Sequence, residues 1–174
     1  TPVEDAPHYT ETIVNLPGSY MPVDTRHRPG AAPSRRDAGL PDTGFVYCSF
    51  NNSYKFNPEV FDLWAGILDA TPGSLLWLSQ PPGEAGDRLR QEIKVRGIDP
   101  DRLVLARRVE NLSEHHARIQ LADLALDTFP YNSHSTGVDA LWCGVPMISL
   151  YGDTFPGRVA SSLLKAAGLD DLIA

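Results

Sequence analysis

The amino-acid sequence predicts an α/β fold, a doubly wound parallel sheet with helices on both faces. Three observations predict it. Short runs that are apolar throughout, such as Leu75-Leu76-Trp77-Leu78 and Leu124-Ala125-Leu126, alternate with helical patterns, as expected of strands buried on both sides. Turn formers separate them, as at Pro72-Gly73 and Pro81-Pro82-Gly83. Polar residues collect just after the strands, where open parallel sheets bind their ligands. A length of 174 residues with 42% hydrophobic content suits one domain with an ordinary core.

The elements follow in order. Residues 1–39 carry no sustained apolar period, and Pro7, Pro17, Pro22, Pro29 and Pro33 interrupt any helix or strand, so this stretch reads as an irregular linker or the tail of a preceding domain. Phe45 to Phe50 is a β-prone run; Asn57-Pro58 then starts a helix whose apolar positions are Val60, Trp64, Ile67 and Leu68. Leu75–Leu78 is the second strand, followed by a charged helix from about Glu84 to Val95. Leu103–Leu105 is the third strand and Ser113–Leu121 the third helix, with Ser113 as its N-cap. Leu124–Leu126 is the fourth strand, and a helix from Ser135 to Trp142 ends at Gly144 in a left-handed cap. Met147–Leu150 and a helix over Arg158–Ala167, closed by Gly168, complete the pattern.

Composition removes several function classes. A net charge of −7 leaves no basic footprint for nucleic acid or anionic lipid, so any phosphate must be held by a few placed groups. No apolar run approaches the length of a membrane span, and no signal pattern opens the chain. Cys48 and Cys143 lie in apolar runs, without the spacing of a disulfide scaffold, which fits a reducing, cytoplasmic location. The chain starts at Thr1 in irregular sequence and reads as a segment of something longer. No Gly-x-Gly-x-x-Gly, P-loop or metal-ligand spacing occurs, and the adjacent His115 and His116 would face different directions on a helix.

Three loops carry candidate chemistry. After the first strand, Asn51-Asn52-Ser53-Tyr54-Lys55 places a lone cation at the ligand edge, where Lys55 either reaches a phosphate or is a solvated surface lysine. His115 and Arg118 share a helix face; they either stack on a base and pair with phosphate, or are exposed residues of a helix start. The run from Asp127 to Trp142 is the most informative. Its Ser135-Thr136-Gly137 leaves backbone N–H groups open at a helix start, which suits an anion, with His134 just ahead. Asp139, one turn in, would repel a phosphate unless it faces a hydroxyl-bearing ribose; the same residues also suit a capped helix with Ser135 as N-cap. Gly152 to Gly157 forms a further ligand-edge loop before Arg158.

Phe45 to Lys55 (FVYCSFNNSYK), Leu75 to Leu78, Gln120 to Thr128 (QLADLALDT), His134 to Pro146 (HSTGVDALWCGVP) and Gly152 to Ala160 together resemble the C-terminal catalytic lobe of O-linked N-acetylglucosamine transferases, the family 41 glycosyltransferases. The resemblance runs from about Leu40 to Ala174; bacterial members carry the same Phe-Asn-Asn-Ser-Tyr-Lys form, and Tyr9 to Pro29 is similar to the end of the family's N-terminal lobe. It implies a GT-B fold, with residues 40–174 a Rossmann-like lobe that binds UDP-GlcNAc, and inverting GlcNAc transfer to Ser or Thr hydroxyls of proteins. It implies that Lys55 contacts the diphosphate and stabilises the leaving group, with Asn52 near it; that His115 stacks by the uracil beside Arg118; that His134, Ser135 and Thr136 bind the diphosphate and sugar; and that Asp139 binds the ribose. The family often has a lysine at the position of Leu112 and a glutamine at that of Asn52. No metal or other cofactor is expected. The general base and the acceptor-selecting tetratricopeptide repeats would lie outside this segment, which alone is expected to be inactive. A different class remains open, a non-catalytic nucleotide- or protein-binding module on the same sheet.

Overall fold

Strands that are apolar on both sides bury both faces only in the middle layer of a sandwich, and the chain builds that layer. The structure is a computed structural model describing residues 2–26 and 28–174. Its five parallel strands, β1 (Val46–Ser49), β2 (Leu75–Ser79), β3 (Leu103–Ala106), β4 (Leu124–Leu126) and β5 (Met147–Ile148), lie in the order β3-β2-β1-β4-β5. The helices are α1 (Pro58–Ala70), α2 (Ala85–Val95), α3 (Leu112–Ile119), α4 (Ser135–Trp142) and α5 (Val159–Ala166).

Side chains alternate across each strand and so divide the core in two. Val46, Cys48, Trp77 and Ala125 pack with Ile119, Ala140, Ala160 and Leu164 of α3, α4 and α5. Tyr47, Leu76, Leu78 and Leu126 pack with Val60, Trp64, Leu68 and Ile93 of α1 and α2. In register, Val46 pairs with Leu75 and Tyr47 with Leu124. From β1 the chain winds outward through β2 to β3, then returns to β4 on the other side of β1. The order reverses between β1 and β4, so their carboxyl ends diverge into a crevice.

The sequence-derived elements hold with shifted ends. β1 and β5 are shorter than their apolar runs; beyond β5, Ser149 bridges to Ile173. α3 starts at Leu112 because Asn111, rather than Ser113, is its cap: the Asn111 side chain accepts the Ser113 N–H at 2.8 Å. Ser135 does not cap α4; His134 holds that position and its side chain caps nothing. Gly144 adopts φ 80, the left-handed conformation expected at the end of α4.

Residues 1–39 are not wholly irregular. Val3–His8 forms a 3-10 helix with Pro7 inside it, tolerated because a short i→i+3 helix asks few N–H groups for bonds. The segment also packs on the lobe: Arg158 binds Asp5 at 2.9 Å, Ser19 bonds Ser162 at 3.0 Å, and Gln120 donates to the Gly30 carbonyl at 2.8 Å. No helix among the described residues is long and apolar enough to cross a membrane.

Candidate functional site

The loops after β1 and β4 meet across the crevice between those strands, and a buried carboxylate joins them. Asp127, the first residue after β4, accepts the N–H of Thr128 at 2.8 Å, the N–H of Ser133 at 2.6 Å and the Ser149 hydroxyl at 2.6 Å. Asn51 reaches it from the β1 side at 3.5 Å. Burial pushes the Asp127 carboxyl above the usual carboxylate range, and these bonds, Ser149 first, pull the other way. The loop from Thr128 to Ser133 is thereby folded around one acceptor, with the fully buried Asn132 donating to the Thr128 carbonyl at 2.9 Å.

Lys55 sits over this frame. Its ammonium donates to the Asn132 carbonyl at 2.7 Å and to Asn51 Oδ1 at 3.3 Å, and lies 4.2 Å from the centre of the Tyr131 ring. Half-buried, it is neither a free surface lysine nor one matched by a carboxylate within hydrogen-bond reach; burial lowers its pKa, and Asp127 partly restores it. His134 also meets Tyr131, its ring stacked on the tyrosine with centroids 5.2 Å apart. His134 Nδ1 bonds the Tyr20 hydroxyl at 3.3 Å, and its Nε2 is buried without a partner. Burial first, then the charge of Lys55, lowers the His134 pKa.

α4 begins here. Thr136 donates its hydroxyl to Asn51 Oδ1 at 2.9 Å, while Ser135 is exposed. The first α4 N–H groups that turn back onto the chain are those of Gly137 and Val138, both to the His134 carbonyl. Those of Ser135 and Thr136, the first two residues of α4, have no intrahelical acceptor. Gly137 permits the tight seating of this turn: a Cβ there would stand 2.6 Å from Ser133 Oγ and 3.2 Å from Met147 Cε. Asn52 is exposed and caps nothing, so the asparagine built into the site is its neighbour Asn51.

A second group forms where α3 faces α4. Arg118 Nε and Nη2 lie 3.1 and 3.0 Å from His115 Nδ1, and Arg118 also donates to the Arg107 carbonyl and lies 5.2 Å from the Phe50 ring centre. His115 and Arg118 therefore share a face, as their spacing predicts. Since the guanidinium only donates, Nδ1 of His115 accepts and its proton sits on Nε2. Burial, reinforced by Arg118, depresses the His115 pKa to about 4, so the ring is a neutral aromatic face at physiological pH. His116, next along the helix, points elsewhere and bonds Asp139 of α4 at 2.9 Å. No cluster of three or more metal-ligating side chains occurs among the described residues.

A hollow of about 750 Å³ lies away from where this chemistry converges, between residues 30–39 and the β3–α3 edge, and of the sequence-predicted site residues it contains only Arg118. Arg158, beside the Gly152–Gly157 loop, is occupied by Asp5 and by the Gly152 and Asp153 carbonyls. Sequence reasoning on the loops passed over Asn51, Asp127 and His116 as site residues. For Asp127 a signal existed: an acid directly after a buried strand must be satisfied by what surrounds the strand's end.

Comparison with known proteins agrees with this architecture. The profile of glycosyl transferase family 41 matches residues 24–174. The chain is 39% identical over 175 residues to an Arabidopsis thaliana protein named probable UDP-N-acetylglucosamine–peptide N-acetylglucosaminyltransferase SEC, covering 97% of this chain and 18% of the relative. It is 42% identical over 141 residues to the Caenorhabditis elegans UDP-N-acetylglucosamine–peptide N-acetylglucosaminyltransferase, covering 81% of this chain and 12% of that one. It thus spans under a fifth of either relative. A mutant Thermobaculum terrenum O-GlcNAc transferase superposes with a TM-score of 0.84 at 36% identity, over 99% of this chain and 32% of that structure. Anabaena Alr3699/HepE, solved with UDP and glucose, shares the fold at a TM-score of 0.54 and 17% identity, over 79% of this chain and 40% of that one. The β1–β4 crevice thus lies in a Rossmann-like lobe of the GT-B type, and the chain belongs to glycosyl transferase family 41.

Proposed function

We propose that this chain holds the UDP-GlcNAc donor of a protein O-GlcNAc transferase, which passes GlcNAc with inversion to Ser or Thr hydroxyls. One observation carries the reading: Lys55, reaching from the loop after β1 onto the Asn132 carbonyl, shares Asn51 Oδ1 with the Thr136 hydroxyl at the start of α4, where the first N–H groups have no intrahelical acceptor. An ammonium, open amides and a helix start suit a diphosphate better than any uncharged ligand. In this reading Lys55 and those amides offset the charge that develops on the departing UDP, fixed in place before reaction, so the step asks for no metal. His134 serves the sugar side. The neutral His115 ring offers its face to the uracil with Arg118 behind it, and Asp139 accepts from the ribose. Asn52, exposed at the rim, meets the diphosphate only if the loop turns toward it.

The protein acceptor would be placed by the N-terminal lobe and repeats of a longer parent, which also bring the general base. We place the protein in the cytoplasm, where the free thiols of Cys48 and Cys143 are at home. Calorimetric titration with UDP and ADP tests the donor reading. UDP is expected to bind at least about tenfold tighter, a difference of about 1.4 kcal/mol. Equal affinities would make this a generic nucleotide-binding module instead.

A further inference from the structure

His116 has no part in the reading above, yet it is 5% exposed and hydrogen-bonded across the helix packing to Asp139, 23 residues away. Its Nε2 lies 2.9 Å from Asp139 Oδ1; a carboxylate only accepts, so the shared proton belongs to Nε2. Its other nitrogen, Nδ1, is buried with no partner. An apolar side chain would fill the same space without an orphaned nitrogen, so packing alone does not account for a histidine here. The Asp139 side chain is 23% exposed, and its Oδ2 receives no hydrogen bond from the described residues. Both residues line a cleft of about 150 Å³ with Leu112 and Ser135, beneath Met21–Asp24.

We propose that His116 is a positioning residue: it anchors one oxygen of Asp139 so that the other stands fixed in the cleft, ready to accept from the hydroxyls of the nucleotide's pentose. The proposal rests on the reading of the crevice as a nucleoside diphosphate site. Anchoring matters because a carboxylate left to rotate must be ordered when the ligand binds, at a cost in affinity. It also favours ligands that carry hydroxyls over those that do not, since only a hydroxyl gains from an acceptor already in place.

The test compares UDP with 2′,3′-dideoxy-UDP by calorimetry on the protein, three His116 variants, and Asp139→Asn with and without His116→Leu. The wild type is expected to favour UDP by about tenfold. His116→Gln, whose amide nitrogen reaches the place of Nε2, should keep that preference. His116→Asn, whose amide falls short, and His116→Leu should reduce it to within about threefold of parity. Dideoxy-UDP affinity should stay constant throughout, which also reports that each variant is folded. In an Asp139→Asn background, His116→Leu should change nothing further. If the Gln and Asn variants behave alike, or if His116→Leu weakens both ligands equally, the proposal is overturned and His116 is only part of the α3–α4 packing. A wild type that binds UDP without preferring its hydroxyls overturns it as well. Failure of the wild type to bind UDP at all would instead remove the donor reading on which it stands.

Discussion

The two sides of the crevice are built on opposite principles. On the β1–β4 side the groups are charged and already engaged: Asp127 gathers two N–H groups and a hydroxyl, and Lys55 rests on a carbonyl and an aromatic ring. On the α3–α4 side the ring that would meet a ligand, His115, is held neutral, and the Asp139 carboxylate is tethered by the neighbouring His116. The first side has electrostatic strength fixed by a buried hub; the second has shape and a directed acceptor. It follows that damage to the first should cost stability and phosphate affinity together, whereas damage to the second should change which nucleoside is preferred.

Removing the hub should have the largest effect. Asp127→Ala strands the N–H groups of Thr128 and Ser133, each costing about 1 to 3 kcal/mol when buried unpaired, so urea unfolding should show a loss of about 3 kcal/mol or more. A loss below about 1 kcal/mol would mean that the loop refolds around other acceptors and that the hub is dispensable.

Asp139→Asn separates the two sides more finely. UDP affinity should fall by about three- to tenfold through the weakened bond to the pentose, while dideoxy-UDP is nearly unaffected. Equal losses for both ligands would return Asp139 to the role of an ordinary residue one turn into α4.

The smallest effect is on pH. His115 takes up a proton near pH 6.5 when unfolded but only near about 4 when folded, so between those values the unfolded chain binds more protons and folding stability falls as pH drops. Burial of His134 acts in the same direction. His115→Gln should flatten part of this loss, seen as urea midpoints that differ less between neutral and mildly acidic buffer. A variant as acid-sensitive as the wild type would show that the folded ring is not protected from protonation.

Much of the fold was legible because its signals are local. Apolar runs such as Leu75–Leu78 needed both faces covered, and Gly144 stood where a left-handed cap was required. The shared face of His115 and Arg118 followed from helical spacing. What escaped depends on packing between distant segments. The Asp127–Asn51 and His116–Asp139 contacts join residues 76 and 23 positions apart, and no period in the chain brings them together. Asn52 and Asn51 were indistinguishable as letters; only the turn into the 3-10 helix at Ser53–Lys55 decides which side chain goes inward. The cap at Asn111 was missed for a related reason, since Ser113 is an equally good capping residue until the backbone fixes which side chain reaches a free N–H.

The central claim is that the charged side of the crevice takes a diphosphate, and Lys55 tests it most directly. A hydrogen bond to a charged group contributes about 1.5 to 3 kcal/mol, so Lys55→Ala should weaken UDP binding by roughly 10- to 100-fold while uridine binds almost unchanged. Calorimetry of both ligands against wild type and variant gives the ratio. A UDP-to-uridine affinity ratio that collapses in the variant is the predicted result; a ratio within about threefold of wild type would contradict the account and leave Lys55 a structural tie to the Asn132 carbonyl.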